Sequence, residues 1–256
     1  MVRAEPALPD GFRLLTFDTI RSTNALALDM AREGEAGGLW LRADRQTGGR
    51  GRQGRVWTSE PGNLHASLLL IDPAPRPRLA ELPLVVAVAV HEAVAGLIGP
   101  AQRAALAIKW PNDLLHDGAK LSGILIEGID VAGGRAVVVG IGVNLAHHPA
   151  DTPYPATDLA AIGFPVAPDE MLVRLAHRLD GWLDRWRTEG FAPVRQAWLA
   201  RARGLGEPIR VRLPRGDVAG RFEALDDEGR LLLRLASGGL VTVSAGDVFF
   251  GPAAGG

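Results

Sequence analysis

Apolar and polar positions alternate from Phe12 to Ile20, the period of a half-buried strand, and Arg21-Ser22-Thr23-Asn24 breaks the alternation. Ala25 to Ala31 then reads as a helix, capped by Ser22 or Thr23, whose side-chain oxygen can accept from a free backbone N–H of the first turn. Leu39 to Ala43 predicts a second strand and Leu64 to Ile71 a buried third; Leu84 to Ile98 predicts a helix, reached by a proline-rich surface connection from Pro73 to Pro83. Three β-type segments follow, Leu106 to Trp110, Leu121 to Ile129 and Ala136 to Leu145, with hairpin chemistry at His116-Asp117-Gly118 and Gly133-Gly134. Asp169 to Arg187 carries Leu172, Leu175, Leu179 and Leu183 at helical spacing, and Phe191 to Ala202 forms a further helix. From Glu207 the pattern shifts to short strands with turns at Arg215-Gly216-Asp217, Asp227-Glu228-Gly229 and Ser237-Gly238-Gly239, which predicts a small all-β barrel. The expected units are therefore residues 1–205 and 206–256.

Composition narrows the chemistry. The chain has no cysteine, which excludes thiol catalysis and thiolate metal sites and suits a reducing cytoplasm. Its longest apolar stretch, Leu82 to Ile98, is interrupted by His91 and Glu92, so it predicts a buried helix and no membrane partner. A net charge of -1 gives no general attraction for DNA, so anion binding must come from a local cluster. Of 28 basic residues only Lys109 and Lys120 are lysine. A lysine kept among so many arginines marks a place where a slim stem with a compact charge fits and a planar fork does not.

The local cluster lies between Arg45 and Arg55. Arg45, Arg50, Arg52 and Arg55 share this segment with four glycines and no acidic residue, so it predicts a mobile loop that an anion would order. It is not a Walker A loop, and Gly49-x-Gly51-x-x-Gly54 precedes no helix as a dinucleotide fingerprint would. In Lys109-Trp110-Pro111-Asn112-Asp113 the proline forces a turn that leaves Asn112 and Asp113 at a strand end, although Lys109 could equally pair with Asp113 at the surface. Lys120 begins the strand after the hairpin and could meet a substrate carboxylate. Gly140 and Gly142 interrupt an apolar strand, as glycines do where a ligand or another backbone comes close, and the strand ends on Asn144, equipped to read an adenine edge. His147-His148, followed by Pro149, reads as a solvated turn and not as a metal site.

Taken in order, Ser22-Thr23-Asn24, the run from Gly49 to Trp57, Lys109 to Asp113, Lys120 to Leu125 and Gly140 to Asn144 resemble the bacterial biotin protein ligases. The resemblance implies an α+β fold: a mixed, largely antiparallel sheet with helices packed on it, like the class II synthetases, plus a C-terminal SH3-like β-barrel. It implies that Ser22, Thr23, Asn24 and Gln46 line the site for the ureido head of biotin. Arg50, Gly51 and Arg52 would close over biotin and the adenylate, with Lys120 at the reacting carboxylate and Lys120 and Arg52 as the catalytic pair. Arg55, Lys109, Asn112 and Asn144 would join Arg50 and Arg52 around ATP, and Trp57 would anchor the end of the loop. Mg²⁺ would accompany ATP without dedicated protein ligands, and a biotin carboxyl carrier protein would be the acceptor. Only 21 residues precede Ser22, too few for a helix-turn-helix domain, so the ligase-only type without DNA binding is expected, as monomer or homodimer. Thr47-Gly48 stands where the family commonly has glutamine and alanine, which should loosen the loop. A lipoate or octanoate protein ligase is the neighbouring alternative, and a nucleic-acid-binding module built on the arginine loop is the alternative from another class.

Overall fold

A computed structural model describes residues 7–150, 152, 154–214 and 216–250, so the first six residues and Arg215 of the expected 215–217 turn lie outside the described residues. The strands of the larger sheet are β1 (Arg13–Ile20), β2 (Leu39–Gln46), β3 (Leu64–Ile71), β4 (Leu106–Lys109), β5 (Asp113–His116), β6 (Ala119–Val131) and β7 (Gly134–Val143). Their spatial order is β1-β2-β3-β7-β6-β5-β4; β1 and β2 are parallel and every other pair is antiparallel. The sequence pattern missed β5, because Asp113 to His116 is a short stretch beside a proline with no alternation of its own. The hairpin between β6 and β7 turns on Ala132-Gly133, one residue earlier than expected, with Val131 opposite Gly134.

Alternation along the central strands assigns the two faces. Leu64, Leu68 and Leu70 of β3 and Val137, Val139, Ile141 and Val143 of β7 face α2 (Leu82–Ala95), α4 (Pro168–Glu189) and α5 (Ala192–Leu199) in the main core. Leu69, Ala136 and Val138 face the other way and pack on Ala27, Leu28 and Ala31 of α1 (Thr23–Arg32). Helix α2 starts at Leu82, two residues before the predicted start, because Glu81 and Leu82 are already buried at the end of a 3₁₀ turn over Arg76–Glu81. The short α3 (Pro100–Ala104) precedes β4. Trp182, Trp186 and Trp198 pack in this core and satisfy their ring N–H groups with Glu92, Glu81 and the carbonyl of Pro111. None of them lines the cavity described below.

The C-terminal strands β8 (Pro208–Leu213), β9 (Gly216–Leu225), β10 (Leu231–Arg234), β11 (Leu240–Val243) and β12 (Asp247–Phe250) form a separate antiparallel sheet in the order β11-β10-β9-β8-β12. It is not an appendage. Ile209, Val211, Phe222 and Leu231 join the main core, the Phe222 ring stands 6.2 Å from Trp198, and the Trp110 ring N–H donates to Gly229 O at 3.1 Å. That docking brings the start of β12 to the edge of the large sheet.

One buried titratable group gives the fold an acid limit. His91 on α2 is held neutral by burial, with the Arg201 charge adding to the effect, and its pKa falls to about 4. Because the folded value lies below the unfolded one, the unfolded chain binds the extra proton between pH 6.5 and about 4, and stability falls as pH falls through that window. The full shift corresponds to roughly 3 kcal/mol. We therefore expect His91→Leu to flatten the pH dependence of the melting temperature below pH 6.5; an unchanged slope would remove His91 from the acid limit.

Candidate active site

A cavity of about 660 Å³ opens on the α1 face of the sheet, where apolar side chains give way to glycines. On β7 the face carrying Ala136 and Val138 continues with Gly140 and Gly142, and Gly142 is paired in register with Gly123 of β6. The Trp57 indole lies against that glycine pair: a Cβ at Gly142 would fall on its ring, and a Cβ at Gly123 would stand 3.0 Å from Cζ3. A Cβ at Gly140 would strike the Asn24 amide. The close approach expected of a ligand or a backbone is thus made by two protein side chains.

Ser22 caps α1, its Oγ accepting from Ala25 N at 3.4 Å, which leaves Thr23 and Asn24 free to face the cavity. Thr23 donates from its backbone N–H, at 2.8 Å, and from its hydroxyl, at 3.1 Å, to Gln46 Oε1. Gln46 Nε2 donates to Ser59 Oγ, which donates in turn to Trp57 O, each at 3.1 Å. On the other side, the Ser67 hydroxyl reaches both Thr23 Oγ1 at 2.7 Å and Asn24 Oδ1 at 2.6 Å. Sequence reasoning overlooked Ser59 and Ser67, since a lone serine in a strand or loop carries no signal of its own.

The glycine loop has a 3₁₀ turn at Arg52–Gly54 and a bridge between Arg50 and Val56. Three of its four arginines are opposed by acids outside the segment, two of them on distant strands. Arg45 lies 3.6 Å from Glu60, Arg50 lies 3.7 Å from Glu127 of β6, and Arg55 forms an ion pair with Asp247 of β12. Arg52 donates to Asn112 Oδ1 at 3.3 Å and to Gly246 O at 3.2 Å. Burial works against the Asp247 carboxylate, yet Arg55, with Arg52 and Lys109 behind it, holds its pKa below the ordinary carboxylate range. Lys120 forms its ion pair with Asp113 at 2.8 Å, its ammonium 5.7 Å from the Trp57 ring.

Ser22, Thr23, Asn24 and Gln46 line the cavity, as do Arg50, Gly51, Arg52 and Arg55 of the loop, and Lys120 and Asn144 from the strand ends. Two expected residues stand behind the surface. Asn112 is buried, donating to Ile124 O at 2.9 Å while it braces Arg52. Lys109 points between aromatic rings, 5.0 Å from Tyr154 and 6.0 Å from Phe249, and does not pair with Asp113; burial lowers its pKa, helped by the Lys120 charge and opposed by Asp113. Asn144 lines the cavity, but its Nδ2 donates to Thr157 O at 3.0 Å, so only part of the amide is available to a ligand. Tyr154, Arg212 and Asp247 also line the cavity; they lie far from every motif, and only the folded chain brings them there. His148 pairs with Asp158 at 2.6 Å, and among the described residues no group of three His, Cys, Asp or Glu could hold a metal.

Five cations line this cavity, three of them on one glycine loop, against the two carboxylates of Asp113 and Asp247, an excess of positive charge that suits an anionic ligand. Residues 16–144 match the biotin/lipoate A/B protein ligase family, and residues 204–251 match the biotin protein ligase C-terminal domain. The chain belongs to the biotin protein ligase family. It is 44% identical over 238 residues to the biotin–[acetyl-CoA-carboxylase] ligase of Paracoccus denitrificans, covering 90% of this chain and 97% of that protein. It is 36% identical to the bifunctional ligase/repressor of Bacillus subtilis, over 89% of this chain and 71% of that one. Among solved structures, the biotin protein ligase of Aquifex aeolicus in complex with biotin and ATP superposes with a TM-score of 0.78 at 29% identity, over 92% of this chain and 97% of that one.

Proposed function

We propose that this chain activates biotin with ATP to biotinyl-adenylate and transfers the biotinyl group to one lysine of a biotin carboxyl carrier protein, in the cytoplasm. The observation that carries this reading is convergence: Arg50, Arg52 and Arg55 of the glycine loop and the ammonium of Lys120 line one cavity. The biotin carboxylate attacks the α-phosphate of ATP and pyrophosphate leaves. Two anions must meet for this to happen, and fixed cations that screen their repulsion supply much of the acceleration. Thr23, Asn24 and Gln46 hold the ureido head, Lys120 exchanges Asp113 for the reacting carboxylate, and Arg50, Arg52 and Arg55 take the phosphate side. Lys109 and Asn112 act from behind the surface, as charge and as a brace for Arg52. A deprotonated carrier lysine then attacks the mixed anhydride and AMP leaves. Mg²⁺ would travel on the phosphates, keeping most of its waters; among the described residues no group of three His, Cys, Asp or Glu could hold it. Residues 1–205 form the catalytic unit, and residues 206–256 contribute Arg212 and Asp247 to its edge.

The direct test is to incubate the purified chain with ATP, Mg²⁺ and biotin and look for biotinyl-adenylate by mass spectrometry, then for label on a carrier lysine. Adenylate without transfer would reduce the protein to a ligand-binding regulator, and lipoate turnover in place of biotin would move it to the neighbouring branch. Arg52 bridges the loop to Asn112 and to Gly246, so Arg52→Gly should let the activated intermediate escape and biotinylate bystander proteins. Unchanged selectivity of that variant would count against a closing role for the loop.

A further inference from the structure

Glu127 lies on β6, outside every motif discussed so far, and does not line the cavity; yet its two carboxylate oxygens reach two elements that do. Oε2 accepts from Asn24 Nδ2 at 2.8 Å, and Oε1 lies 3.7 Å from Arg50 Nη2. An asparagine amide has two nearly isosteric orientations, and an ionised carboxylate can only accept. Glu127, with Leu125 O at 3.3 Å, therefore fixes the Asn24 amide with its N–H groups toward β6 and its oxygen toward Ser67. Beyond Ser67 the polar contacts continue through Thr23, Gln46 and Ser59 to Trp57 O. One line of hydrogen bonds thus crosses the wall of the cavity, and both of its ends meet the glycine loop: Arg50 at one, Trp57 at the other.

We infer that Glu127 is a positioning residue that couples recognition of the biotin head to closure of the glycine loop, fixing the Asn24 amide with one oxygen and tethering Arg50 with the other. This rests on the ligase reading above. The part-buried, charge-assisted bond to Asn24 at 2.8 Å is the stronger of the two contacts, and the half-exposed pair with Arg50 at 3.7 Å the weaker. Glu127→Gln keeps an acceptor for Asn24 and removes the charge facing Arg50, whereas Glu127→Ala removes both.

The test measures biotin affinity by calorimetry and the rate at which preformed biotinyl-adenylate leaves the full-length enzyme, with circular dichroism confirming the fold of each variant. Glu127→Ala should weaken biotin about tenfold. Glu127→Gln should keep most of the affinity but release the adenylate about threefold to fivefold faster. Arg50→Ala combined with Glu127→Gln should release it no faster than Arg50→Ala alone, because both changes cut one tether. Additive release rates, or equal biotin affinities for Glu127→Ala and Glu127→Gln, would overturn the inference. A wild-type chain that binds no biotin would instead overturn the ligase reading on which it stands.

Discussion

Lys120→Ala should lower ATP–pyrophosphate exchange about 100-fold to 1000-fold, the loss seen when one fixed donor to a developing negative charge is removed. The fold should survive, because the Lys120 side chain is 34% exposed and the Asp113 it leaves behind is 23% exposed and can find water. Arginine should not rescue it. Lys120 passes over Gly123 with its ammonium 5.7 Å from the Trp57 ring and 2.8 Å from Asp113, and a planar fork on a longer stem would not place its charge at that point. Exchange at the wild-type rate in Lys120→Ala would show that the ammonium is not at the reacting carboxylate. Near-normal exchange in Lys120→Arg would show that charge alone matters there.

Gly140→Ala should abolish measurable biotin binding with a change of one methyl group. The added Cβ falls on the Asn24 amide, which is 5% exposed and held by Ser67, Glu127 and the carbonyl of Leu125. The overpacking should also lower stability by about 1–3 kcal/mol. The double variant Gly140→Ala with Asn24→Gly separates the two effects: removing the displaced amide should restore much of the stability but none of the biotin affinity. If the double variant bound biotin normally, Asn24 would have no part in recognition. If Gly140→Ala alone melted and bound like the wild type, the packing of the amide over the strand would be wrong.

Both predictions depend on contacts that differ in how far the sequence announced them. Lys120 was legible, because a lysine in an arginine-rich chain is a chemical exception at a single position. Gly140 and Gly142 were legible as anomalies, since glycine in an apolar strand weakens it without an evident local gain. What presses on them was not, because Asn24 and Trp57 come from a helix start and a loop that only the sheet brings together. The N-cap shows the same division: the Ser-Thr-Asn run predicted a capped helix, and the register of the first turn decided in favour of Ser22.

The glycine loop marks the limit of local reasoning most clearly. No acid lies within the segment from Arg45 to Arg55, and neighbours in sequence therefore predict a loop that only an anion would order. In space Arg45, Arg50 and Arg55 find acids on the far side of the loop, on β6 and on β12, Arg52 finds neutral acceptors, and a carboxylate arriving at Lys120 competes with Asp113. For Lys109 and Asn112 the local signal and the position in space differ in another way. They sit inside a motif with other site residues, but alternation along a short strand and the burial of the turn after it take them behind the cavity surface.

By itself the sequence determined the strands and helices with clear periodicity and the concentration of cationic side chains on one glycine-rich segment, because hydrophobic period and side-chain chemistry are local properties. The tertiary structure decided which carboxylate faces which cation, which glycines bear on which side chains, and that the C-terminal sheet supplies part of the cavity. Several of these contacts join residues more than a hundred positions apart, such as Asn24 with Glu127 and Arg55 with Asp247. Nothing in the spacing of one segment can encode a distance to another until packing of the apolar faces has fixed the geometry between them.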